Sequence, residues 1–259
     1  MLDSPESLEY VSTIALYSAM IVYAIAFVFY AVDLANRSGD QIAESKGRTR
    51  FVRIAFSLTV LAWLLHLGAT VLRGIGAERV PWANMYEFAL TATLAAVFIF
   101  LLVQFFVDIR FLGTLVTGVA ILFLGVTKIN YYVPIVPLPP ALDSYWLVIH
   151  IIVAVLAVGF FTISFGLSVM QLMQSRREAR LAAGTDTKLR FLGGIPGADR
   201  LEDLGYRVAI IGFVFWTFTL IAGSIWAEHA WGRYWGWDTK EVWTFVIWVL
   251  YAGYIHARA

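Results

Sequence analysis

Between Trp226 and Trp243 the sequence reads WAEHAWGRYWGWDTKEVW and holds five of the ten tryptophans, together with Asp238 and Glu241. One or two indoles at a helix end anchor it at a membrane surface; a dense group of these wide rings suits stacking on a flat apolar ligand. Trp231, Trp235 and Trp237 are candidates for such a platform, with Trp226 and Trp243 at the ends of the flanking helices. An interfacial belt is the plainer reading. Imidazole is the other chemistry on offer. The chain has no cysteine, which excludes disulfides, thiolate ligation and a cysteine nucleophile. His66, His150, His229 and His256 are then the strongest soft-metal ligands available.

These side chains must be positioned by membrane helices. Of 259 residues, 60% are hydrophobic and 14% charged, against roughly a quarter charged in soluble domains. Seven apolar runs, near 11–35, 53–73, 85–107, 111–127, 146–173, 207–226 and 243–257, have about the length that spans the hydrocarbon layer. They are too long and uniformly apolar for barrel strands, so the expected fold is all-α, a polytopic bundle of about seven transmembrane helices. A net charge of +1 gives no footprint for nucleic acid; membrane lipid is the expected surrounding.

Alternating the loops collects fourteen Lys and Arg on one side and leaves Arg73, Arg79, Lys128, Arg233 and Lys240 on the other. Basic residues in short loops stay cytoplasmic, which puts the Trp-rich stretch 226–243 and the N-terminus outside. MLDSPESLEY lacks a basic n-region, so the first run is expected to stay as a helix. The polar interruption 174–206 reads as a cytoplasmic linker with a short helical start, and 1–259 as a single transmembrane domain. Pro134, Pro137, Pro139 and Pro140 predict an extended outer wall or lid before the fifth run.

Depth sorts the histidines. His150 lies about 9 Å inside a helix that Ser144 or Asp143 could cap, near the outer surface; on position alone, a bond to a nearby backbone carbonyl is its ordinary role. His256 lies roughly 20 Å down from Trp243 in the inner half, too deep to share a ligand with His150; the plainer reading is a snorkelling side chain beside Arg258. His66 is intramembrane and suits a structural or supporting role, and His229 a solvent-facing one. Asp238 and Glu241 form a capping box for the seventh helix, and Asn84 and Glu87 one for the third.

Trp231, Gly232, Trp235, Trp237, Asp238, Glu241 and Trp243 form a pattern W-G-x-x-W-x-W-D-x-x-E-x-W that resembles the tryptophan-rich signature of the cytochrome c assembly family of heme-handling membrane proteins. LPPALDSYWLVIH resembles that family's P-A-L-x-S-x-W-L-x-x-H segment, and VPWANMYEF its P-x-S-N-x-Y-E motif with Ala83 in place of Ser. The resemblance runs from about residue 58 onward and is closest to the CcsA/ResC-type synthase subunits. It implies His150 as an axial ligand of an externally bound heme b and His256, in YIHAR, as an intramembrane heme ligand. Arg79, Arg233 and Lys240 become candidate propionate partners, and the five tryptophans a porphyrin platform. It also predicts one further span and a further outer histidine beyond residue 259.

The implied function is heme export and presentation, with covalent attachment to an apocytochrome c bearing Cys-x-x-Cys-His, as a synthase subunit beside a ResB/CcsB-type membrane partner. The thiols belong to the substrate, so a chain without cysteine is compatible. The implied location is a bacterial plasma membrane, with a thylakoid membrane as the other candidate. Other readings are an exporter that hands heme to a separate chaperone, a cytochrome b-like electron carrier and a plain structural bundle. The carrier needs two histidines at matched depth, which His66 and His256 do not provide.

Overall fold

The computed structural model describes residues 4–36, 45–136, 138, 144–185 and 189–258, without side chains at 45–49 and 190. All its regular structure is helical: α1 (Pro5–Asn36), α2 (Ser45–Gly76), α3 (Met85–Val103), α4 (Gly113–Asn130), α5 (Tyr145–Ala182), α6 (Ala198–Trp231) and α7 (Thr239–Arg258). The first six contain segments long and apolar enough to cross a membrane. α7, the seventh expected span, is a 20-residue helix with no buried residue. The chain is thus a multi-pass membrane bundle, as its composition predicts.

α1 and α2 pack along a seam whose spacing alternates between three and four residues, the pattern that keeps one stripe facing a partner helix. Leu16, Ala19, Tyr23, Ala26 and Tyr30 face Ala55, Thr59, Ala62, His66, Ala69 and Arg73, and all are buried. The Ser12 hydroxyl donates to the Ala69 carbonyl at 2.7 Å and fixes the register. α5 and α6 form the second extensive pair, and α7 packs chiefly on α6. α3 lies between the pairs as the most buried of the six spans and meets α2, α4 and α5.

Several boundaries differ from the apolar runs. α5 continues through Arg176–Ala182 and α6 begins at Ala198, so the polar interruption shrinks to 183–197. Arg, Glu and Ala are strong helix formers and carry α5 past its apolar end. At its C-terminal end α6 continues through His229 to Trp231 and stops at Gly232, which takes the left-handed conformation with φ +66 that glycine adopts without strain. The Trp-rich stretch is therefore helix to Trp231, loop over 232–238, then helix. Of the predicted proline wall, Pro134 lies in a non-helical segment 131–136; Pro137, Pro139 and Pro140 lie outside the described residues, as does Asp143, the alternative cap of α5. Ser144 is the cap the structure describes, accepting from Trp146 N at 3.2 Å.

Candidate functional site: an imidazole walled by tryptophan

His150, in the second turn of α5, turns toward α6. Its Nδ1 lies 3.1 Å from the Thr219 carbonyl. Thr219 lies one turn before Gly223, and a Cβ on Gly223 would sit 2.8 Å from His150 Cε1 and 2.9 Å from Nδ1. Only glycine leaves the imidazole that space. With Nδ1–H donated to the carbonyl, Nε2 carries the free lone pair and is the nitrogen available to a ligand. The Trp226 ring lies parallel to the imidazole, at 4° with centroids 6.2 Å apart. Trp231 meets Trp226 edge to face at 5.0 Å.

A small cavity of about 110 Å³ opens at this point, lined by His150, Gly223, Trp226, Trp231, Tyr234, Trp235, Asp238, Lys240 and Glu241 among others. The structure thus brings His150 together with three of the five tryptophans. Trp237 stands edge-on to Trp235 at 5.8 Å, and Trp243 is exposed on α7; neither lines the cavity. His229 does not join the group, since its Nδ1 bonds the Ile225 carbonyl on the exposed face of α6. His256 is exposed near the C-terminal end of α7, roughly 25 Å down that helix from Thr239.

The loop is held by one carboxylate. Glu241 Oε2 accepts from Gly236 N at 2.6 Å and Asp238 N at 3.2 Å, while Asp238 Oδ1 accepts from Glu241 N at 2.9 Å. This is the reciprocal capping box the sequence predicts, with Gly236 added. The Arg233 guanidinium reaches Glu241 at 3.5 Å. Trp237 has φ +59, an uncommon conformation for a bulky residue, and its side chain is 70% exposed.

A second polar centre supports the same end of the bundle, where α2 ends and α3 begins. Glu87 is 0% exposed; its carboxylate meets Arg73 Nε at 2.9 Å and Arg79 Nη1 at 2.8 Å, and accepts from Ala83 N at 2.8 Å. Asn84 Oδ1 accepts from Glu87 N at 2.9 Å, so the expected cap forms, but Glu87 reaches Ala83 N and two guanidinium groups. Those guanidinium groups donate onward to the carbonyls of Val133 (2.7 Å) and Val136 (3.1 Å), tying down the outer segment 131–136. Glu9 lies 3.6 Å from Arg73 and accepts from the Tyr132 hydroxyl. Burial, then the Glu9 carboxylate, raises the Tyr132 phenol above its ordinary range and keeps it a donor. Arg79 is thus committed to Glu87, and Lys240 is the one sequence-predicted propionate partner that is free of an ion pair among the described residues and lines the cavity.

His66 is fully buried in the α1–α2 seam, with the Tyr23 ring edge-on at 6.2 Å. Neither ring nitrogen makes a hydrogen bond, and it lies outside the cavity lined by His150. Arg73 was legible only as an outer cation; its spacing of seven residues from His66 and fourteen from Thr59 on one helix face was the available signal. Gly223 had no signal in sequence, because the ring it accommodates comes from another helix.

The pattern described as "Cytochrome C assembly protein" matches residues 82–259. This chain belongs to the cytochrome c assembly protein family. The matched region contains the box at Asn84, His150 and the whole tryptophan-lined cavity. Relatives within reach are the cytochrome c biogenesis protein CcsA of Trieres chinensis, 32% identical over 72% of this chain and 68% of its own length. CcsA of Prochlorococcus marinus is 31% identical over 91% of this chain and 79% of its own. Among solved structures, the cytochrome c heme lyase CcmF aligns over 98% of this chain with a TM-score of 0.66 at 17% identity, a likeness of fold. This chain spans 42% of that lyase's length. The likeness of fold to that structure extends over the N-terminal helices α1 and α2, ahead of the matched pattern.

Proposed function

We propose that this chain serves cytochrome c biogenesis as a synthase subunit that presents heme outside the membrane for attachment to apocytochrome c. The observation that carries the reading is the arrangement at His150. Its Nδ1 is engaged by the Thr219 carbonyl, which leaves Nε2 as ligand, and its ring lies parallel to Trp226 beside Trp231 and Trp235.

These residues suit heme b. A low-polarity wall of indoles matches the porphyrin face, an imidazole with an oriented second nitrogen matches the iron, and Lys240 supplies a cation for a propionate. The cavity of about 110 Å³ is far smaller than a porphyrin, so most of the ring must rest on the exposed faces of Trp231, Tyr234 and Trp237. These three side chains are 47%, 61% and 70% exposed. Such a shelf leaves an edge of the macrocycle accessible, which attachment requires: two substrate thiols add across the two vinyl groups to form thioethers. The chain's part is positioning. His256 on α7 is proposed as a separate intramembrane ligand on the outward path, at a depth that excludes sharing with His150.

The partners on this reading are a ResB/CcsB-type membrane subunit and an apocytochrome c carrying Cys-x-x-Cys-His. The basic-residue bias supports a topology with the N-terminus and the tryptophan loop outside a bacterial plasma membrane, or the equivalent side of a thylakoid membrane. The test is the reduced-minus-oxidised visible spectrum of the complex, wild type against His150→Gly, with and without imidazole. A low-spin band lost on substitution and restored by imidazole is the expected result; an unchanged band removes His150 from the site.

A further inference from the structure

At the opposite end of the bundle, where α2 begins and α3 ends, a cavity of about 500 Å³ is lined by Arg53, Phe56, Ser57, Gln104, Phe105, Asp108 and Arg110. On the proposed topology this end faces the cytoplasm. Its donors outnumber its free acceptors. Arg110 is clamped by Asp108, with Nε to Oδ1 at 2.8 Å and Nη2 to Oδ2 at 2.5 Å, which spends the one carboxylate in the lining. Buried Asp33 also acts on Arg110, whereas Arg53 is exposed and makes no ion pair among the described residues, so its guanidinium is the one in the lining that is open to a ligand.

Gln104 adds a second observation. Its Oε1 accepts from Ile109 N at 3.3 Å, which turns the amide so that Nε2 is left buried in the cavity wall with no hydrogen-bond partner. A buried donor without an acceptor is costly and rare. Ser57 places another hydroxyl on the same wall. Phe56 and Phe105 share the lining with these donors, and Phe105 and its chain neighbour Phe106 are 81% and 80% exposed, as anchors at a membrane interface are. Guanidinium, amide and hydroxyl donors in one lining with two phenyl rings match an anion that carries an apolar body.

We infer that this cavity binds the anionic head of a membrane-borne amphiphile, a phosphate or a carboxylate on an apolar body. Two sources share that chemistry: the phosphate of an anionic lipid and the carboxylates of a porphyrin arriving from the cytoplasmic side. The lipid source stands alone; the porphyrin source rests on the heme reading above.

The experiment uses the full chain with its membrane partner in nanodiscs. The variants are Arg53→Glu, at the rim where folding is not at stake, and Gln104→Leu, which removes the orphan donor at nearly constant volume. Arg176→Glu, exposed on α5 outside the cavity, controls for general surface charge. One arm counts phosphatidylglycerol retained by native mass spectrometry, against phosphatidylcholine. The other titrates protoporphyrin IX by fluorescence, against its dimethyl ester. A threefold or greater loss of phosphatidylglycerol in both cavity variants, absent in Arg176→Glu, assigns the lipid phosphate. A fivefold or greater weakening for protoporphyrin IX with the dimethyl ester unaffected assigns the carboxylates. No change in either arm, or an equal change in Arg176→Glu, overturns the site. Because the site at His150 would also take a porphyrin, the titration is repeated in a Lys240→Ala background: weakening by Arg53→Glu that persists there is assigned to this cavity, and weakening that disappears there belongs to the site at His150 and overturns the porphyrin source.

Discussion

The imidazole of His150 and the indole of Trp226 lie parallel within 4°, on different helices, with centroids 6.2 Å apart. Two things hold that relationship: the Thr219 carbonyl on Nδ1 and the missing side chain at Gly223. Both belong to α6, so the imidazole comes from α5 while its orientation is set by the helix opposite.

Gly223→Ala is therefore expected to disturb the imidazole while leaving His150 itself in the sequence, and so to weaken the proposed heme ligation. Its Cβ would fall 2.8 Å from His150 Cε1, and overpacking of that kind costs about 1–3 kcal/mol. Visible spectra of the complex should show a fall in low-spin heme, with partial recovery on adding imidazole. A wild-type spectrum would show that the ring is not held by this contact.

Glu87→Ala leaves Arg73 and Arg79 facing each other without their shared carboxylate. Removing one partner of a buried pair costs about 3–5 kcal/mol. Thermal unfolding in detergent should report a large loss, and hydrogen exchange should show deprotection of 131–136, whose carbonyls those guanidinium groups hold. Glu87→Gln, which keeps acceptor capacity without the charge, should lose less.

Asp238→Ala removes the cap of α7, a loss of about 1 kcal/mol. Faster amide exchange confined to the first turn of α7 and the loop 232–238 is the expected readout; exchange spreading into α1–α4 would contradict the local role of the box.

At Trp237, glycine relieves the φ of +59, a conformation that disfavours L side chains by about 1–2 kcal/mol. The substitution also deletes an exposed ring of the proposed shelf. Trp237→Gly should leave the unfolding temperature unchanged or raised while heme co-purifying with the complex falls. Heme retained at the wild-type level would remove Trp237 from the shelf.

Much of this was legible from residues alone. Long apolar runs dictate helices in lipid, and D-T-K-E spells a capping box that the structure forms with both of its hydrogen bonds. The helix ends were less legible. α6 runs on through Trp226, His229 and Trp231 because nothing in A-E-H-A-W breaks a helix before Gly232, whereas hydropathy falls several residues earlier. Least legible were contacts between distant elements: Arg73 reads as one more outer cation until α3 brings Glu87 to it, 14 residues away in sequence and 2.9 Å away in space.

α3 stands as a party wall between two unlike rooms. On one side α1, α2 and α4 share the larger buried apolar core with it, with the Glu87 knot as its latch. On the other, α5, α6 and α7 leave their aromatic furniture facing out, and α7 has no buried residue at all. A catch basin for a sticky, planar guest needs an open mouth, and an open mouth in a membrane bundle invites collapse. Anchoring the wall on its sealed side lets the other side stay unfinished, its last surfaces supplied by whatever docks there.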